Sequence, residues 1–251
     1  MQRQQYARLL ALVVQARDLA RSSSAVAAVL QHTPQPLDLV QLRADAADDV
    51  ADVAAAAHYL QSLFATADFY PAITRSPLLV LNAPLDAVAQ LRDPLVASGG
   101  FAGWHVKEHE LLRTSEELHR LLATRAPREV VGCSVHSVAA AELAAQLELD
   151  YVQVGTMFET ASHPEKRADA LEGPALLRTI AARRPRGPHG ERLAMPPLVA
   201  VGGIGSALHV REVLRAGASG VAVIRGILAA DDPEAAAAAL RAALDAPSER
   251  E

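Results

Sequence analysis

The sequence predicts an α/β fold, a (β/α)8 TIM barrel, as a single domain over residues 1–251. Three observations predict it. Eight short apolar runs recur along the 251 residues. Most are followed by a helix-like stretch. Polar side chains collect just after the runs, at the strand ends where barrels assemble their sites. A short apolar run bounded by Pro, Gly or Asp suits a strand buried on both faces. A doubly wound sheet is the alternative.

The first run is Leu9–Val14 and the second Leu37–Leu42. Behind the second, the alanine-rich stretch Ala46–Phe64 reads as a helix. Leu78–Leu81 opens the weakest unit, because Pro84 and Pro94 constrain the helix between them. Phe101–Val106 is the fourth strand and Val130–Val135 the fifth. Ser137–Leu147 follows as a helix with Ser137 placed to cap it. Tyr151–Gly155 is the sixth strand, Leu198–Val201 the seventh and Gly220–Ile224 the eighth. Leu208–Ala216 is a helix ended by Gly217. Asp231-Asp232-Pro233-Glu234 is a helix start, with an acidic cap and Pro in the first turn, and that helix runs to Leu244. Flexible loops are expected near 160–172 and 183–197. The first falls at a C-terminal strand end. The second follows a helix and so lies on the opposite, stability face.

Composition excludes several classes. With 24 Lys+Arg, 29 Asp+Glu and a net charge of -5, there is no basic excess for a nucleic-acid partner. At 51% hydrophobic residues the chain is not a disordered one. Aromatic residues make up only 4%, so the core must be built from Leu, Val, Ile and Ala. Cys133 is the single cysteine, which rules out an intrachain disulfide and a thiolate zinc cluster. By strand alternation Cys133 points opposite to Ser134, toward the helix layer. No run approaches the roughly 18 apolar residues of a membrane span. No segment reads as a secretory leader, and the cytoplasm is the expected compartment.

The strand ends supply the candidate site residues. Gln41 and Arg43 follow the second strand and Asn82 the third. His105, Lys107 and Glu110 follow the fourth, Ser134 and His136 the fifth, and Thr160 the sixth. Val201-Gly202-Gly203-Ile204-Gly205 follows the seventh and Ile224-Arg225-Gly226 the eighth. Glycine loops that open helices let backbone N–H groups face an anion, and barrels bind phosphate at these two loops. No Gly-Lys-Ser/Thr follows, so this is not a nucleotide P-loop. His136, in Gly-Cys-Ser-Val-His-Ser, can take and give a proton near neutral pH. His105 suits either a site role or a layer inside the barrel.

Six stretches occur in order: Leu39–Arg43, Gly132–Ser137, Asp150–Gly155, Phe158-Glu159-Thr160, Pro197–Ile204 and Gly217–Ile224. On these the chain resembles the thiamine phosphate synthase and thiazole tautomerase superfamily, from about residue 8 to 245. The resemblance implies a (β/α)8 barrel that handles thiazole and pyrimidine phosphates in thiamine biosynthesis. The synthase branch carries Gln-x-Arg-x-Lys after the second strand, where this chain has Gln41-Leu42-Arg43-Ala44-Asp45. It carries Asn-Asp-Arg after the third, where this chain has Asn82-Ala83-Pro84. A lysine, a magnesium-binding aspartate and an arginine are therefore replaced. Glu110 is the nearest match to a second metal-binding aspartate. His163 stands where that branch has a lysine, with Lys166 nearby. The tautomerase branch needs neither metal nor pyrophosphate, and His136 matches its acid/base histidine.

The sequence thus places a tautomerase-like isomerase first, with His136 as proton shuttle on a thiazole carboxylate phosphate. On the resemblance, Gly202, Gly203, Ile224 and Arg225 hold the phosphate. Gln41, Arg43, Asn82, His105, Ser134, Thr160 and His163 contact the substrate. This reading needs no cofactor and no metal. The enzymatic alternative is a thiamine phosphate synthase, a transferase using Mg2+ with Glu110, His163 and Lys166. The third reading is a non-catalytic phosphate-ligand protein. The expected partner is a small-molecule thiazole phosphate, with no nucleic acid and no membrane, and a homodimer is the oligomer to test for.

Overall fold

The computed structural model describes residues 8–32, 34–67, 77–160 and 171–247. His163 and Lys166, and nearly all of the loop expected near 160–172, lie outside the described residues. Eight parallel strands close into a barrel in chain order, with β1 paired to both β2 and β8. They are β1 (Leu9–Gln15), β2 (Leu39–Arg43), β3 (Leu78–Asn82), β4 (Phe101–Val106), β5 (Val130–Val135), β6 (Tyr151–Gly155), β7 (Leu198–Val201) and β8 (Gly220–Val223). The fold class is the one the sequence predicts, because each run is apolar on both faces and each face has a layer to bury it.

Alternation divides the core in two. In β1, Leu10, Leu12 and Val14 pack outward against the helices. Leu9, Ala11 and Val13 pack inward with Leu39, Val80, Tyr151 and Val199. In β5 the outward residues are Val131, Cys133 and Val135. Cys133 is fully buried there, and burial pushes its thiol well above the usual range, so it is no nucleophile.

The helices are α1 (Leu19–Gln31), α2 (Val50–Ala67), α3 (Leu85–Ala97), α4 (Glu108–Arg113), α5 (Glu116–Ala123), α6 (Val138–Gln146), α7 (Gly173–Ala181), α8 (Ala207–Arg215), α9 (Arg225–Leu228) and α10 (Pro233–Asp245). Ser137 caps α6 by accepting from Ala140 N, and Asp232 caps α10 by accepting from Ala235 N. The weak third unit differs from expectation. Pro84 precedes α3, but Pro94 lies inside it, and the helix continues to Ala97. Proline disrupts a helix chiefly through the turn before it, so near a C-terminus it leaves the remaining residues free to stay helical. Segment 183–197 is a hairpin-like turn: Arg186 bridges Arg192, and Leu193 N donates to Pro185 O at 2.8 Å. No helix among the described residues is long and apolar enough to cross a membrane.

Candidate functional site

A cavity of ≈ 720 Å³ opens at the C-terminal end of the strands. Gln41, Arg43, Asn82, Ser134, His136, Thr160, Gly202, Gly203, Ile224 and Arg225 all line it. They come from six strands and meet because a closed barrel brings every strand end to one rim. The walls also include Lys107, which the sequence offers at the end of the fourth strand without a role, and Glu108, Gln153 and Glu159, to which it assigns no place in the site. Lys107 and Gln153 were within reach of it. Lys107 is two residues beyond the inward-facing His105, and Gln153 two beyond the inward-facing Tyr151.

On one side the wall is backbone. Gly202 and Gly203 have φ of +99° and +69°, values that favour glycine. A Cβ on Gly203 would lie 2.5 Å from Phe158 O and 2.6 Å from Glu159 O. A Cβ on Gly226 would lie 2.4 Å from Ile204 O, so the loops after β6, β7 and β8 pack backbone to backbone. Behind them Phe158 stacks on His209 with ring centroids 4.3 Å apart. Ile227 N and Leu228 N donate to Ile224 O at 3.3 and 2.9 Å, which leaves the N–H groups of Arg225 and Gly226 without a partner inside α9 and facing the cavity.

At the floor, Gln153 Nε2 donates to Gln41 Oε1 at 3.2 Å. Gln41 Nε2 and Asn82 Oδ1 are buried without a partner. Buried polar atoms are nearly always satisfied, so one free donor and one free acceptor on a cavity floor suit a ring with complementary edges.

His105 lies one layer below the wall and does not line the cavity. It is fully buried, with Nδ1 3.0 Å from Tyr151 Oη and Nε2 2.8 Å from Ser134 Oγ. Gly132 makes this packing possible, because the Tyr151 ring crosses the space its side chain would fill. Burial, with Arg43 and Lys107 adding repulsion, lowers the His105 pKa to about 3. His105 is therefore a neutral support of Ser134, and the expectation that it contacts substrate is corrected, because Ser134 and not His105 lines the cavity.

His136 projects from the turn after β5. Its Nδ1 lies 2.5 Å from Gly155 O and 3.1 Å from Glu172 Oε1. Both partners only accept, so Nδ1 carries the proton and Nε2 is the basic nitrogen. The other carboxylate oxygen of Glu172 accepts from Thr156 N, and Glu108 accepts from His136 N and Ser137 Oγ. Glu172 is 36 residues away in sequence, and no local pattern announces it.

On the opposite wall Asp45 gathers cations. Its carboxylate lies 3.3 Å from Lys107 Nζ, 3.7 Å from Arg43 and 3.4 Å from Arg17. Burial pushes the Asp45 carboxyl up, but Arg43, Lys107 and Arg17 outweigh it and hold the group below the usual carboxylate range. Glu110 is turned out of the cavity. It accepts from Leu85 N at 2.9 Å and Lys107 N at 3.4 Å, closing the starts of α3 and α4. Ala83 and Pro84 offer no ligand, and the described residues hold no group of three metal-capable side chains. These residues do not fit a two-carboxylate magnesium site.

Comparison with known proteins follows the same geometry. A thiamine-phosphate synthase of Listeria welshimeri is 40% identical over 134 residues, covering 53% of this chain and 56% of that protein. One from Mycolicibacterium smegmatis is 40% identical over 119 residues, covering 47% of each. The chain thus spans about half the length of the curated relatives it matches. The thiamine phosphate pyrophosphorylase of Pyrococcus furiosus shares the fold at a TM-score of 0.66 and 21% identity over 96% of both chains. A family model described as thiamine monophosphate synthase matches residues 10–227, and the chain belongs to that family. None of these singles out a tautomerase branch, and the relatives' names favour the synthase alternative over the isomerase that the sequence placed first.

Proposed function

We propose that this member of the thiamine monophosphate synthase family joins a pyrimidine methyl pyrophosphate to a thiazole phosphate at the barrel mouth. The observation that carries the proposal is one cavity with two different anion-ready ends, in a chain whose relatives at this identity are named synthases. Coupling breaks the methylene carbon–oxygen bond, and its electron pair leaves with pyrophosphate. The thiazole nitrogen lone pair then forms the new carbon–nitrogen bond. Arg43 and Lys107 face the charge that develops on the leaving group. The glycine loops and α9 hold the thiazole phosphate. Gln41 and Asn82 offer the pyrimidine a donor and an acceptor.

One observation favours a second reading, the tautomerase-like isomerisation. His136 presents Nε2 as a base, with Gly155 O and Glu172 fixing the tautomer from behind. That is the arrangement of a proton shuttle. One experiment separates the two. The protein is incubated with both coupling substrates, with and without magnesium, and separately with a thiazole carboxylate tautomer phosphate. A coupled product by mass spectrometry supports the first reading. Aromatisation of the tautomer without coupling replaces it with the second.

A further inference from the structure

We propose that Arg43 and Lys107 form an oxyanion-binding end of the cavity whose strength is set by Asp45, so that a lysine just past β4 supplies the cation that the segment after β2 lacks. This rests on the reading that the mouth binds a pyrophosphate ester.

The donors are the first argument. Among the described residues the Arg43 guanidinium makes no hydrogen bond, and its one ion pair, with Asp45, is 3.7 Å long. It is nevertheless only 27% exposed. A guanidinium carries five N–H donors, and a largely buried one without an acceptor suits an oxyanion that offers two oxygens side by side. Lys107 Nζ donates to Ala44 O at 2.8 Å and to Asp45 Oδ1 at 3.3 Å. An ammonium has three N–H groups, so one remains for a ligand. Both side chains line the cavity.

The charges are the second argument. The Asp45 carboxylate lies between the two cavity cations, with Arg17 behind it. Its negative charge cancels one of the two positive charges that a bound oxyanion would meet. It also fixes the Lys107 ammonium at the wall. Both cations act together below it, since Arg43 and Lys107 each disfavour protonation of His105. The pair is thus an exchanged arrangement: an acid, Asp45, stands two residues past β2, and the base that answers it, Lys107, follows β4 62 residues later. Asp45 moderates the binding of highly charged oxyanions, and Lys107 makes that binding possible.

The test uses inorganic pyrophosphate titrated by calorimetry in EDTA. Lys107→Met keeps the apolar stem and removes the charge. It should raise the pyrophosphate Kd at least fivefold, and a smaller change in a variant with native circular dichroism overturns the assignment of Lys107. Asp45→Asn should lower the Kd, and unchanged or weaker binding overturns the assignment of Asp45. The double variant Asp45→Lys with Lys107→Met returns the cation to the β2 segment and should bind at least as tightly as Lys107→Met. Binding weaker than that, in a folded protein, also counts against the exchange. No measurable binding to the unaltered protein overturns the whole proposal. Because no turnover is read, failure of the coupling reaction leaves these outcomes intact, and the two failures stay distinguishable.

Discussion

The two walls of the mouth are built on different principles. Around β6, β7 and β8 the wall is main chain, with Gly202, Gly203 and Gly226 letting three loops touch backbone to backbone. Around β2, β3 and β4 it is side chain, with Arg43, Asp45 and Lys107 reaching across to one another. The backbone wall keeps the pattern of the superfamily the chain resembles. The side-chain wall departs from it at Asp45, Ala83 and Pro84. A backbone wall tolerates little, because a Cβ on Gly203 or Gly226 would strike a carbonyl and one on Gly202 would strike Thr156. A charge on a long side chain can be delivered from a neighbouring strand, so its sequence position is free to move.

The comparison can be broken or sharpened by experiment. The largest effect is expected at His136, which joins the walls. On the isomerase reading, His136→Asn should slow isomerisation of a thiazole tautomer phosphate by about 10²-fold or more, with ligand affinity changed less than about tenfold. Single-turnover rate and melting temperature, measured on one preparation, check this. A stable variant at near wild-type rate would remove His136 from the chemistry.

Next is the backbone wall. Gly203→Ala forces a Cβ at φ +69° against Phe158 O and Glu159 O. It should cost about 1–3 kcal/mol of stability and weaken thiazole phosphate binding roughly tenfold, an estimate set by losing one anion-binding contact. Calorimetry and thermal melting check both numbers. Gly203→Asp carries the same clash and is a poor probe of the anion site.

The layer beneath both walls should respond to pH. His105 has its pKa lowered to about 3 from an ordinary 6.5. Between those values the unfolded chain binds the proton that the folded one refuses. Stability is therefore fully present above about pH 6.5 and falls as pH drops toward 3, at up to about 1.4 kcal/mol per unit. His105→Gln does not titrate, and its urea midpoint should fall less steeply from pH 7 to pH 5. Equal slopes for the two proteins would refute the assignment. The smallest effect is expected from metal. With Ala83 in place of a carboxylate and Glu110 engaged by Leu85 N, thiazole phosphate affinity should differ less than about twofold between EDTA and millimolar magnesium, because one hard ligand is replaced and the other is turned away. A strong magnesium requirement would show that the side-chain wall keeps more of the superfamily pattern than its residues suggest.

Much of this protein was legible in the sequence. All eight strands follow from apolar runs, since a strand buried on both faces cannot be written otherwise. Ser137 and Asp232 as caps follow from local hydrogen bonding. The wall residues Gln41, Arg43, Asn82, Ser134, His136, Gly202, Gly203, Ile224 and Arg225 follow from their places at strand ends. Where side chains end up when their partners are distant in the chain was settled only by the closing of the barrel. The sequence left His105 between wall and layer, and Tyr151 drew it below. It offered Glu110 as a metal ligand, and the free N–H of Leu85 at the start of α3 took the carboxylate. It gave no sign that Glu172 backs His136 or that Asp45 meets Lys107. Periodicity and capping act within a few residues and are written locally. Ion pairs and buried hydrogen bonds are settled by which strand ends the closed barrel brings together, and that is a property of the whole chain.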